Sequence, residues 1–231
     1  MTTPTRMMVR SWLRQLAACE ISRNEAAEFA RPWVGERERE VTRIGVEAGP
    51  SDYGRLGLVA SHDGTRYDAG VKALYTHDGG WRDASGFDEG KFVGTLMIGD
   101  DAATASRFNL AATDLEQETA GFVLGQDAYR DEALRKTNAN PEAYRNAHAV
   151  RLTGLLRPQT GLPGRLELRP YARTSRMDFL QHFLLGQPVE RNGQESLGLI
   201  TTVEWDLPER YELVTGVDLE WADSLLLEVQ D

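Results

Sequence analysis

Apolar and polar residues alternate along most of this chain, most clearly between Gly164 and Trp221. In Arg165–Thr174, Leu166, Leu168, Pro170 and Ala172 take one parity, and Arg165, Glu167, Arg169, Tyr171 and Arg173 the other. Leu197–Asp206 sets Leu197, Leu199, Val203 and Trp205 against Glu204 and Asp206. Tyr211–Trp221 sets Tyr211, Leu213, Val217, Leu219 and Trp221 against Glu212, Asp218 and Glu220. A period of two predicts β-strands with one apolar and one polar face. Strands of about ten residues are nearly twice the usual length, and suit a tilted membrane crossing. Tyr211 and Trp221 lie on the apolar parity at opposite ends of one strand. At about 3.4 Å per residue and a tilt of about 40°, that interval rises roughly 26 Å, the height of the apolar band between the aromatic girdles of an outer-membrane barrel.

The same period predicts six earlier strands: Val41–Gly49, Tyr53–His62, Arg66–His77, Gly90–Gly99, Ser106–Asp114 and Ala147–Arg157. Arg66–His77 repeats the girdle pattern, with Tyr67 and Tyr75 flanking Ala69, Val71 and Ala73. Thr5–Ala30 predicts helix, from the spacing of Trp12, Leu13, Leu16 and Ala17 and the stop at Pro32. Gly35–Glu40 is a charged linker. Residues 1–40 are thus a helical segment with its linker, and residues 41–231 a β region. A short helix is expected over Asp131–Arg135 and a turn at Asn138–Pro141.

The expected connections alternate in length. After the third, fifth and seventh strands they run to about 12, 32 and 22 residues, and after the even-numbered strands only about three to seven. Long loops at one end and tight turns at the other characterise bacterial outer-membrane barrels. The fold class expected is all-β, an antiparallel up-and-down meander of about nine long strands forming part of a transmembrane β-barrel.

Charge and composition narrow the partners. The 231 residues carry a formal net charge of −10, and no element concentrates Lys or Arg, which argues against nucleic acid. Cys19 is the single cysteine, so no internal disulfide or cysteine-ligated zinc is expected. No window approaches 18 uninterrupted apolar residues, which excludes a helical span. The low mean hydropathy does not exclude a barrel, whose strands place apolar residues at every second position. Residues 1–18 do not form a convincing signal peptide, because Arg6, Arg10 and Arg14 interrupt the apolar run one needs.

Several stretches in order carry a resemblance. They are Tyr75–Asp83, Gln117–Gly125, Arg169–Pro188, Asn192–Gly198 and Thr215–Trp221. Together, over about residues 40 to 231, they are similar to the barrel of TonB-dependent outer-membrane receptors. The resemblance implies a receptor in the outer membrane that takes up iron-siderophore or a similar scarce nutrient. It also implies a barrel of about twenty-two strands, of which nine would be under half. The plug domain and the box that contacts TonB are not recognisable. The expectation is therefore a partial barrel that does not transport alone and meets TonB only through a plug missing from this chain. A soluble β-rich ligand-binding protein is the competing class.

Catalysis finds no foothold. The histidines are His62, His77, His148 and His182, and no HExxH, Gly-rich phosphate loop or Gly-x-Ser-x-Gly elbow is present. No metal or cofactor is expected. Two histidines with a carboxylate could hold iron, but chance loop histidines explain these better. The acidic loop Asp83–Glu89 lacks calcium-loop spacing. The loops are the better ligand contacts: Trp81, Arg82, Phe122, Tyr129, Arg130, Tyr144 and His182 offer stacking faces and cationic donors for aromatic, carboxylate-bearing ligands such as metal-siderophores. Arg169, Tyr171 and Arg173 are expected in the polar lumen.

Overall fold

The computed structural model describes residues 40–99, 104–161, 164–207 and 211–230. The helix expected over Thr5–Ala30 lies outside them. Nine antiparallel strands follow one another in a single up-and-down sheet. They are β1 (Glu40–Ala48), β2 (Gly54–Asp63), β3 (Tyr67–Asp78), β4 (Phe87–Ile98), β5 (Ser106–Glu118), β6 (Tyr144–Leu155), β7 (Gly164–Leu180), β8 (Val189–Asp206) and β9 (Glu212–Val229). The sheet is open, with β1 and β9 each paired on one side only among the described residues. No helix among the described residues is long and apolar enough to cross a membrane, which says nothing of strands.

Every expected strand is present, but the last three are far longer, at 17, 18 and 18 residues. The polar stretch Ser175–Ser196, the connection of about 22 residues expected after the seventh strand, is mostly paired backbone: Ser175 faces Gln194 and Asp178 faces Arg191. Strands wet on both faces show no apolar period, so alternation cannot reveal them. The same holds for Glu116–Glu118 against Tyr144–Asn146. The loops shrink accordingly to residues 79–86, 119–143 and 181–188, against 64–66, 99–105, 156–163 and 207–211 at the other end. Only 119–143 stays long, so the expected contrast in loop length is largely lost. Of two 3₁₀ turns, Ala128–Arg130 precedes the short helix expected over Asp131–Arg135 and Leu134–Lys136 overlaps its end.

Register sorts the residues into two faces, because directly opposed residues point the same way. Arg43, Lys72, Lys91, Arg107, Arg151, Arg173, Glu204 and Asp218 share one face; Ile44, Leu58, Val71, Phe92, Leu110, Leu152, Leu168, Leu199 and Val217 share the other. Nothing packs against the apolar face among the described residues. Among the described residues the buried alanines are Ala105, Ala128 and Ala143, none of them on the belt, while Leu197 is 58% and Leu219 64% exposed. A soluble sheet normally buries such a face under a second layer.

The apolar belt also runs obliquely. The register row through Ile44 passes Leu58, Ala73, Phe92, Ala112 and Val150, then turns polar at Thr174, Glu195 and Asp223. On β9 the middle of the apolar run is Val217, six residues short of Asp223. A level belt drawn round strands tilted by about 40° drifts against their register by roughly one residue per strand. The drift here is of that order.

Candidate functional site

The loops 49–53, 79–86, 119–143 and 181–188 gather at one end of the sheet. Their turns are locally dictated. Asp78 accepts from Gly80 N at 2.8 Å, and Gly80 takes φ +84° beside Ser85, a conformation that favours glycine. Asp131 accepts from the backbone of Ala133 and Leu134, both at 3.0 Å, starting the second 3₁₀ turn. Asn138 accepts from Asn140 N at 2.9 Å.

Backbone bonds then join the loops. Gly79 N donates to Ser51 O at 2.8 Å and Asp83 N to Lys136 O at 2.9 Å. Arg82 Nη2 donates to Ala120 O at 2.8 Å, and Asn138 Nδ2 to Ala84 O at 2.9 Å. Lys136 Nζ donates to the carbonyl of Trp81. Gln187 Nε2 donates to Glu142 Oε1 at 3.1 Å, which ties 181–188 to 119–143. The Glu142 carboxyl is held below the usual carboxylate range, first by its own backbone N–H; partial desolvation opposes this, while Gln187, Asn140 and the charge of His182 add to it.

The seven expected site residues fall into separate groups. Trp81, 56% exposed, has the Arg82 guanidinium 5.5 Å and the Lys136 ammonium 5.7 Å from its ring centre. Tyr129 pairs with its neighbour Arg130, at 5.4 Å from ring to guanidinium, with Arg130 Nε donating to the phenol oxygen at 3.0 Å. Phe122 is 87% exposed and has no ring partner among the described residues. His182 lies edge-on to Phe183 at 5.6 Å, against Gly121. Its Nδ1 is buried without a hydrogen-bond partner among the described residues. Tyr144 stands apart at the start of β6. With His77, Asp88 and Glu116 it lines a cavity of about 360 Å³ beside Gly79 and Gly86.

Lys136 and Glu142 were missed by the sequence, since only loop contacts show that one clamps Trp81 and the other holds Gln187. His77 and Asp88 were missed too. They face each other across β3 and β4, with His77 Nδ1 2.9 Å and the Tyr75 hydroxyl 2.5 Å from Asp88 Oδ1. Only the register of the two strands pairs them, and neither strand's own pattern carries it. Among the described residues no three His, Cys, Asp or Glu come together as a metal site.

No family model and no curated protein matches the chain.

The cluster can bind by stacking and charge. Exposed aromatic faces backed by cations suit flat, electron-rich or anionic ligands. It holds no paired acid and base poised over a nucleophile.

Proposed function

We propose that residues 40–230 form part of the wall of an outer-membrane β-barrel of the TonB-dependent receptor type, whose outer loops take up a metal-siderophore or similar scarce nutrient. The observation that carries this reading is the oblique apolar belt, which no protein layer covers among the described residues. Lipid is the solvent that suits such a face. The opposite face carries arginines, lysines and carboxylates, as a water-filled lumen requires. The free edges of β1 and β9 must meet further strands, because lipid cannot satisfy their open N–H and C=O groups. The chain therefore works inside a larger closed barrel, with coupling to TonB supplied by a plug. Trp81, Arg82, Phe122, Tyr129, Arg130 and His182 present the ligand-facing groups, with Tyr144 at the base of the loops.

The decisive experiment places single cysteines at positions 217 and 218 of the complete barrel and exposes it to a lipid-soluble thiol probe. Labelling at 217 but not 218 supports the reading; labelling at neither refutes it.

The second reading, a soluble β-rich binding protein using the same loops, draws on the open sheet and the reduced contrast in loop length. Recovery of the chain as a detergent-independent monomer would favour it.

A further inference from the structure

The polar face holds two arginines in an arrangement that a sheet normally avoids. Arg151 on β6 lies directly opposite Arg173 on β7, and like charges in opposed positions repel. Arg173 is balanced: its Nη2 donates to Glu220 at 2.8 Å and its Nε to Ser196 at 2.7 Å. Arg151 is not. It is exposed, and among the described residues it has no hydrogen-bond or ion-pair partner. The flanking positions on that face run from Asn109 to Thr113 on β5, Ala149 and Thr153 on β6, and Tyr171 to Ser175 on β7. None of them is a carboxylate. In a chain of net charge −10, the Arg151 guanidinium is therefore locally uncompensated.

The surface beside the two guanidiniums is hollow. Ala111 and Ala149 are short, so a cavity of about 350 Å³ opens over them, bounded by Arg151, Arg173, Ser175 and Gln194. An unpaired guanidinium brings a fork of donors, and Ser175 and Gln194 bring neutral ones. That donor set matches an oxyanion, which a guanidinium grips with two parallel hydrogen bonds.

We infer that this hollow is a binding site for a small oxyanion, a carboxylate or phosphate group, with Arg151 as its principal contact. The inference does not depend on the transport reading, because the site lies on the sheet face and needs neither the loops nor a bilayer.

The test uses the full chain refolded in detergent micelles, with inorganic phosphate and succinate as probes and sodium chloride at matched ionic strength as the blank. Expected is a saturable rise in melting temperature with at least one probe, since a ligand that binds only the folded state stabilises it. Which probe acts tells phosphate from carboxylate. Arg151→Gln weakens that binding about tenfold or more; Arg43→Gln, on the same face at the far side of the sheet, leaves it unchanged. Without probe, Arg151→Gln melts no lower than the parent, because it removes repulsion and breaks no bond. Neither probe acting beyond the salt blank, or an equal response in Arg151→Gln, overturns the assignment.

Discussion

Arg173 on β7 and Glu220 on β9 form an ion pair at 2.8 Å although β8 lies between them. Their strands are about 9.6 Å apart, so both side chains lean across the face. Arg173 crosses at Ser196, to which it also donates, and Tyr171 lies over Gly198. Glycine at 198 leaves room for the Tyr171 ring. Both charges remain about two-fifths exposed, so water screens the pair. A double-mutant cycle with Arg173→Ala and Glu220→Ala should give a coupling of about 0.2–1 kcal/mol, read from denaturant midpoints.

Gly198→Ala should cost more than that pair. A methyl at 198 overlaps the Tyr171 ring, which must move to admit it. Overpacking of this kind costs about 1–3 kcal/mol. In a Tyr171→Ala background the same substitution should be nearly neutral. Equal costs in both backgrounds would place the strain elsewhere.

Val217 and Asp218 should respond oppositely to charge. Val217 is 60% exposed on the belt face, with no layer over it among the described residues. In a bilayer Val217→Arg should therefore cost about 2–4 kcal/mol, while in water such a surface change stays within about 0.5 kcal/mol. Asp218→Arg, on the polar face, should be mild in both. Folding of the complete barrel into vesicles, followed by urea titration, separates the cases; a mild Val217→Arg there would exclude lipid at this position.

Acid should weaken the tie between Glu142 and Gln187 in the 181–188 loop. The Glu142 carboxyl is depressed, so its ionised form stabilises the fold. That contribution is whole above the ordinary carboxylate value of about 4.3 and is lost as pH falls through the lower, folded value. The Gln187 side-chain amide resonance should stay constant from neutrality down to about that value and shift below it. Glu142→Gln should abolish the step.

Arg82→Ala should loosen the long loop without melting the sheet. It removes the bond to Ala120 O and the cation over Trp81. A hydrogen bond from a charged donor contributes about 1.5–3 kcal/mol, so local opening should increase roughly tenfold or more. Protease cleavage within 119–143 should accelerate accordingly, with the global melting temperature little changed.

The strands were legible wherever one face was apolar. Leu166, Leu168 and Ala172, or Leu213, Val217 and Leu219, mark their faces by spacing alone. The loop-side halves of β7 and β8 were not, because Arg176, Asp178, Arg191 and Glu195 sit beside Ser175, Asn192 and Gln194, and Met177 and Phe179 are too few to mark a face. For the same reason the loops looked longer in the sequence than they are. Of the site residues, Trp81 and Arg82 were recognisable by type, but Lys136 and Glu142 look like ordinary surface charges until the loops meet.

By itself, then, the sequence determined the strands, since a period of two depends only on neighbours along the chain. It also determined which parity of each strand is apolar. Only the tertiary structure decided what depends on register. Register slants the belt from Ile44 to Val217, puts Arg151 against Arg173, pairs His77 with Asp88 and brings Arg173 to Glu220. Each of those relations joins residues on different strands, and its sign changes if one strand slips by a single residue; no local pattern carries that information.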